Sequence, residues 1–257
     1  MKNRQSGSSL VVVVLALCLL GVASYTAFRV YQAQQKPSNK VTIKNIGFNL
    51  DYYNPATNMA GDLKFTKFVW PEGTSGTIFA EYGRQNTPNS ARGSAVSYNP
   101  QPTFLLPLGT KVRALIDGEV VNVSKLYSGD YSIHMQGKGS DLIFETEHVI
   151  NVKVKVGDKV KAGEVIAEVS NYEGDKLDGL GVLEIGILVG GKTPSHICTF
   201  DYLDDSIKTE TLKKIRALED SWESYRGEPD VYQQDKEVTP GCLSRDVIYD
   251  NNTGGGN

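Results

Sequence analysis

Runs of basic residues are absent from this chain of 257 residues. Its 27 Lys and Arg are scattered along the sequence and are outnumbered by 30 Asp and Glu, which gives a net charge of -3. Nucleic-acid-binding proteins usually gather basic residues into a run or onto one face. The charge pattern therefore argues against nucleic acid as a partner. The hydrophobic content of 40% is ordinary for a packed core, so it argues against disorder throughout the chain.

Charged residues are also missing from a long N-terminal stretch. None occurs in residues 5–28, and the apolar part, residues 10–28, is about long enough for a helix to cross the ~30 Å hydrocarbon layer of a membrane. Because a very short basic N-terminus normally stays inside, the pattern predicts a single-pass signal-anchor in the cell membrane with an extracellular or periplasmic body. The residues Val22-Ala23-Ser24 leave a cleaved signal peptide as the alternative.

Cysteine is scarce, with three residues in the chain. Cys18 lies inside the apolar run, so Cys198 and Cys242 are the cysteines of the presumed external body. A pair of cysteines outside the membrane can form a disulfide, and we predict that these two do. Two unpaired thiols remain the alternative, because spacing alone does not establish disulfide geometry.

Short alternating segments separated by Gly-Asp turns dominate the middle of the chain. Alternation also predicts an N-terminal hairpin, in which residues 63–70 and 77–82 pair across a Pro- and Gly-containing turn. The other predicted strands are residues 111–115, 119–126, 130–135, 142–147, 164–170 and 182–189. Regularly spaced strands without intervening helices indicate a mainly β fold, an antiparallel sandwich or barrel.

Helical periodicity begins only after Asp204. Apolar residues such as Ile215, Leu218 and Trp222 then fall at helical spacing, Asp205 or Ser206 can cap the start, and a Gly and a Pro follow the end. The pattern predicts one C-terminal amphipathic helix. The predicted organisation is a transmembrane segment 1–30, a linker 31–40, a β-hairpin extension and loop 41–98, a β domain 99–205, the helix 206–227 and a loosely ordered tail 228–257.

Three blocks of the central region resemble the M23 (lysostaphin/LytM-type) peptidoglycan endopeptidases. Residues 107–121 look like the family's opening turn and strand. Residues 155–167 (KVGDKVKAGEVIA) are similar to its Gly-Asp hairpin, and residues 182–194 to its closing strand. The resemblance covers about a hundred residues in the family's order, and it implies the duplicated-hybrid-motif β fold of these enzymes. A lipoyl- or biotinyl-type carrier domain shares the Gly-Asp hairpin, but the chain lacks that class's lysine motif.

The resemblance also implies which positions should hold the catalytic groups. Asn99 and Thr103 stand where the family has the histidine and aspartate of its HxxxD zinc motif, and Val182 and Glu184 stand where it has the two histidines of HxH. His148 matches a further family histidine. His134 and His196 fall outside the matched positions, and we expect a strand residue and a surface residue there. A catalytic zinc usually needs three protein ligands and a bound water, so the sequence predicts no metal, no cofactor and no catalytic residue.

The functional prediction is therefore a membrane-anchored pseudoenzyme. We expect it to bind peptidoglycan or to regulate a cell-wall hydrolase, with Tyr98, Tyr131, His148 and Glu184 as groove contacts. Glu145 and Glu147 are expected on the wet face of a strand. The alternative is an active zinc-dependent M23 endopeptidase with misaligned ligands, in which case zinc is the cofactor.

Overall fold

The structure of the protein is a computed structural model, and it describes residues 41–67, 76–86, 97–172, 174–190 and 195–249. The predicted anchor, residues 10–28, and the linker 31–40 lie outside the described residues. Within the described ranges, no helix combines the length and the apolar character needed to span a membrane.

Thirteen strands, one α-helix and three short 3₁₀ helices form the regular structure of the described residues. The strands are β1 (Met59–Ala60), β2 (Leu63–Lys64), β3 (Phe79–Ala80), β4 (Thr103–Pro107), β5 (Lys111–Arg113), β6 (Gly118–Lys125), β7 (Tyr131–Gln136), β8 (Ile143–Ile150), β9 (Lys159–Val160), β10 (Val165–Val169), β11 (Leu180–Val189), β12 (Ser195–His196) and β13 (Ile248–Tyr249). The helix is α1 (Asp205–Arg226).

The strands pair antiparallel in one large sheet beside a small β1–β2 hairpin. The main path runs β13-β12-β11-β8-β7-β6-β9, β4 joins β11 and β3, and β10 joins β5 and β8. The predicted mainly β, antiparallel class is confirmed, but the described strands do not close into a barrel. Strands β5, β6, β7, β8, β10 and β11 correspond to predicted segments.

The Gly-Asp turn between β8 and β9 shows why the motif forms a tight reversal. Gly157 has φ of 91°, in the left-handed region that favours glycine. Asp158 closes the turn, because its amide donates to the Lys155 carbonyl and its carboxylate accepts from the Lys155 amide, both at 3.0 Å. The turn then delivers β9 to the edge of β6.

The N-terminal described segment, which belongs to the predicted extension 41–98, packs into the same core as the strands that follow it. Ile43, Phe48 and Leu63 are buried, and the Phe48 ring packs edge-on against Phe104 of β4 with ring centroids 4.7 Å apart. The predicted hairpin is also wrong in its pairing. In the described residues β2 pairs with β1, and β3 pairs with β4. The register of β3 places the buried Phe79 opposite Phe104 of β4.

Helix α1 covers one side of the core. It buries Ile215, Leu218 and Trp222, as its periodicity predicts. The N-cap is Asp204, one residue before the predicted caps, because its side chain accepts from the Ser206 amide. Gly227 ends the helix in the left-handed conformation, with φ of 71°.

The segment after α1 is packed along its described part, so the prediction of a loose tail from residue 228 is wrong for residues 228–249. Tyr232 and Cys242 are buried, and a disulfide joins Cys242 to Cys198. β13 then pairs with β12. These contacts attach the C-terminal segment to the strand edge that carries His196.

Candidate functional site

A β-bulge places His148 in the centre of the candidate site. Between regular pairs of β7 and β8, the single residue Ser132 faces two residues, Glu147 and His148. His148 has φ of 61°, which non-glycine residues rarely adopt. The irregularity turns the imidazole toward Glu184 of the neighbouring β11, with His148 Nε2 at 3.9 Å from Glu184 Oε2.

The His148 ring is fixed from behind and from one face. Nδ1 lies 3.0 Å from Asp130 Oδ2, which also accepts a hydrogen bond of 2.6 Å from the Ser170 hydroxyl. The Tyr172 ring stacks on the imidazole with centroids 4.0 Å apart. Burial raises the pKa of Asp130, but hydrogen bonds from His148, Ser128 and Ser170 outweigh it and the net pKa is lowered. Asp130 therefore stays ionised and orients His148.

The positions matched to the family's ligands lie side by side. Asn99 Nδ2 is 3.3 Å from Thr103 Oγ1, Thr103 Oγ1 is 3.5 Å from Glu184 Oε1, and Glu184 approaches His148. Val182 lies two residues before Glu184 on the same strand face and is buried, so this position offers an apolar contact in place of a proton-transfer group.

Asn99 has a structural role at the first ligand position. Its amide nitrogen lies within hydrogen-bonding distance of the backbone carbonyls of Ala80, Glu81 and Gln101, at 3.2, 3.1 and 2.6 Å. An amide has only two hydrogens to donate, so both are used in hydrogen bonds to the backbone of β3 and of the segment just before β4. An Asn in this arrangement does not replace an imidazole nitrogen as a zinc ligand.

A second cluster adjoins these residues on the same face. Glu145 lies between two imidazoles, with Oε1 at 2.6 Å from His134 Nε2 and Oε2 at 3.2 Å from His196 Nε2. Gln101 Nε2 lies 3.1 Å from Glu145 Oε2 and 3.3 Å from Glu147 Oε2. Burial raises the pKa of Glu145, but hydrogen bonds from the two histidines outweigh this effect and the net pKa is well below its usual range.

All three histidines of the chain thus lie on one face of the sheet. We call this face the polar floor, and its members are Gln101, Thr103, His134, Glu145, Glu147, His148, Glu184 and His196. Two expectations are wrong here: Glu145 is 4% exposed rather than on a wet face, and His196 is 1% exposed rather than at the surface. Alternation along β8 could have predicted that Glu145 and Glu147 share one face of the strand. No feature of the sequence indicated that Gln101 or His196 would lie on this face.

The two tyrosines predicted as groove contacts, Tyr98 and Tyr131, differ in their exposure. Tyr98, next to Asn99, is 50% exposed. Tyr131 is partly buried against the hydrophobic core, and it precedes Ser132, whose hydroxyl donates to Glu145 on the polar floor. Because strand residues alternate between faces, Tyr131 points away from the floor. The groove roles of both tyrosines stay predictions.

Zinc does not fit the matched positions. They supply one carboxylate, one hydroxyl and an amide that is already hydrogen-bonded to the backbone, and the nearest imidazole nitrogen is Nε2 of His148. Catalytic zinc, in contrast, needs three N, S or carboxylate ligands at about 2.0–2.3 Å. Among the described residues, one group of three acidic or histidine side chains has donor atoms within 4.8 Å of one another, and it consists of Glu81, Glu219 and Glu237.

Two arginines already occupy this three-glutamate group. Arg84 pairs with Glu81, and Arg216 reaches both Glu219, at 3.2 Å, and Glu237, at 2.7 Å. Three carboxylates against two guanidiniums leave one excess negative charge. Burial, followed by the charge of Glu237, raises the pKa of Glu219 to about 10, so Glu219 holds a proton at neutral pH.

Comparison with known proteins agrees with the fold and with the sequence blocks. The model of peptidase family M23 matches residues 103–187, which run from β4 into β11. The resemblance to M23 peptidases is therefore confirmed for this segment. No curated protein matches the chain.

Several solved structures are similar to the chain. Lysostaphin from Staphylococcus simulans is 22% identical over 44% of this chain and 43% of that chain, with a TM-score of 0.36. The prophage-encoded M23 protein EnpA from Enterococcus faecalis is 22% identical over 51% and 94%, with a TM-score of 0.36. A SpoIIIAH–SpoIIQ complex gives 16% identity over 43% and 84%, with a TM-score of 0.33. The chain thus spans less than half of the lysostaphin chain.

Proposed function

We propose that the protein is a membrane-anchored, non-catalytic M23-type domain that binds peptidoglycan or regulates a cell-wall hydrolase. The observation that carries the proposal is the conversion of the first ligand position into a backbone support, because Asn99 donates to carbonyls of the chain around β3 and β4. Zinc supplies both the nucleophilic water and the carbonyl polariser in a metallopeptidase. A site that does not hold it loses both functions together.

The floor keeps the features that binding needs. Strand pairing and the hydrophobic core hold β4, β8 and β11 in register without a metal. Side chains with donors and acceptors remain on the floor, and the oriented His148 faces Glu184. Wall components carry hydroxyl, amide and carboxyl groups that such side chains can bind.

The test is a pair of assays on the full-length protein in detergent. Release of peptides from purified sacculi is measured with added zinc and with a chelator, and co-sedimentation is measured with the same sacculi. We expect no release above background and clear sedimentation. Chelator-sensitive release that Glu184→Ala removes would establish the active endopeptidase instead. Absence of both signals would favour a hydrolase as the partner.

The anchor is tested separately. If residues 10–28 span the membrane, the protein stays in the membrane fraction after a carbonate wash. A mature product that begins near residue 25 would show signal-peptide cleavage.

A further inference from the structure

We propose that Tyr127, supported by Tyr172, is the stacking platform of a carbohydrate subsite at the outer end of a series of side chains that runs through His148 to Glu184. The inference rests on the proposed function, and it names the glycan rather than the peptide as the wall component bound at this end of the floor.

Tyr127 is the most exposed of the large hydrophobic side chains in the described residues, at 88%. A single exposed aromatic ring on a surface needs no explanation by itself. This ring, however, is held in place. Its hydroxyl lies 2.8 Å from the Tyr172 hydroxyl, and the two rings meet edge to face with centroids 6.4 Å apart.

The support continues through Tyr172 to the polar floor. Tyr172 stacks on His148, whose Nε2 faces Glu184. Three rings therefore stand in series, and the outermost one is exposed while the innermost belongs to the site. An imidazole nitrogen, a carboxylate and two tyrosine hydroxyls lie along this series as hydrogen-bonding groups.

The backbone of the Tyr127 turn is also fixed. The Leu126 amide donates to the Asp130 carbonyl at 2.8 Å, and the Gly129 amide donates to the Leu126 carbonyl at 2.9 Å. The Asp130 carboxylate links this turn to His148 and to Ser170, two residues before Tyr172. A platform that is ordered before binding loses little conformational entropy when a ligand stacks on it.

Strand pairing argues against a peptide as the occupant of this place. Peptides often bind by adding a strand to a free sheet edge. Here β8 is paired with β7 and β11, and β11 is paired with β4 and β8. The backbone on both sides of Glu184 is therefore already hydrogen-bonded to neighbouring strands. Recognition must come from side chains. The exposed Tyr127 ring offers a face for the C–H groups of a sugar, and the tyrosine hydroxyls next to it, followed by the imidazole and the carboxylate, offer partners for the hydroxyl groups of a short glycan.

The probe is a soluble β-1,4-linked N-acetylglucosamine tetramer, titrated calorimetrically into full-length protein in detergent. Loss of one aromatic contact should weaken binding about three- to tenfold in Tyr127→Ala. Tyr127→Phe keeps the ring and its edge-to-face contact with Tyr172 but loses the hydroxyl contact, so its binding should lie between those of the wild type and Tyr127→Ala. Tyr52→Ala is the matched control, since Tyr52 is half-exposed and lies beside Lys214 of α1.

Sedimentation of the same variants with sacculi separates this inference from the proposed function. Tetramer binding that falls in Tyr127→Ala but not in Tyr52→Ala supports the subsite. Wild-type protein that sediments with sacculi but does not bind the tetramer overturns the subsite and leaves wall binding standing. Binding of a sugar-free stem peptide that depends on Tyr127 also overturns it. Failure to sediment at all removes the wall-binding function itself.

Discussion

Asp130 Oδ2 lies 3.0 Å from Nδ1 of His148, which sets a buried carboxylate behind the ring and turns Nε2 toward Glu184. The two residues come from different places, a turn and a bulge, so neither segment alone fixes the imidazole. The same carboxylate accepts from Ser170 and thereby holds three segments together.

Asp130→Asn should therefore destabilise the protein and change its acid response. The lost charge-assisted bonds should cost about 1–3 kcal/mol at pH 7. The pKa of Asp130 is lowered from its ordinary 3.8 in the folded state, so its contribution is present above about pH 4 and is lost as the pH falls through the folded pKa.

Urea unfolding at pH 7 and at pH 3 measures both effects. The difference between wild type and Asp130→Asn should be largest at pH 7 and should become smaller as the pH is lowered to 3. Asp141→Asn, at an exposed loop position, is the control and should leave both curves unchanged. Equal stability of Asp130→Asn and wild type at pH 7 would contradict the role assigned to this carboxylate.

Gly186 makes room for the second half of the polar floor. A Cβ there would lie 3.0 Å from His196 Cδ2 and 3.2 Å from Gln101 Cδ, and both side chains are buried and hydrogen-bonded. Because neither can move away freely, Gly186→Ala should cost about 1–3 kcal/mol. Gly190→Ala is the matched control, because its Cβ would meet nothing within 4 Å. Thermal unfolding that is the same for both variants would show that the cluster can relax.

The sequence predicted the strands better than it predicted the floor. Turn residues and alternation marked β6, β7 and β11, because those signals are local. The neighbourhood of Asn99, Thr103 and Glu184 could be reached through the family's spacing. The bulge at His148 could not, because it depends on the pairing of two strands.

The second cluster depends on still longer-range contacts. His196 reaches Glu145 only because β12 returns along the edge of β11, and no local pattern encodes that return. The buried glutamate group has the same origin, since Glu81, Glu219 and Glu237 come from three distant segments. A Glu on a helix is read from sequence as solvated, and only the fold shows that Glu219 is buried.

The disulfide should contribute measurably to stability. Cys198 and Cys242 are buried and separated by 44 residues, and closing such a loop stabilises by roughly 3–4 kcal/mol in the chain-entropy model. Reduction should lower the unfolding midpoint in urea. The variant with both Cys198→Ser and Cys242→Ser should be less stable and should no longer respond to reductant. An unchanged midpoint on full reduction of the wild type would contradict the prediction.

Glu219 should make the protein less stable as the solution becomes alkaline. Its pKa is raised to about 10 in the folded protein, chiefly by burial and then by the charge of Glu237, whereas an unfolded glutamate titrates near 4.5. The folded state therefore keeps a proton that the unfolded state releases. The contribution is complete below about pH 4.5 and is lost progressively as the pH rises toward 10.

Replacing the proton-bearing carboxyl by an amide removes this pH dependence. Glu219→Gln keeps an acceptor for Arg216 and a donor for Glu237. At pH 9 the variant should therefore be more stable than the wild type, by roughly 1–3 kcal/mol in the free energy of unfolding. At pH 5 the two proteins should differ little, because this pH is only slightly above the pKa near 4.5 of the unfolded glutamate, so little of the proton-linked stability has yet been lost. Glu210→Gln, at an exposed position of α1, is the control for a change of net charge. Urea unfolding between pH 5 and pH 9 tests the prediction, and a wild-type curve that stays parallel to that of Glu219→Gln across this range would show that Glu219 does not carry the proton.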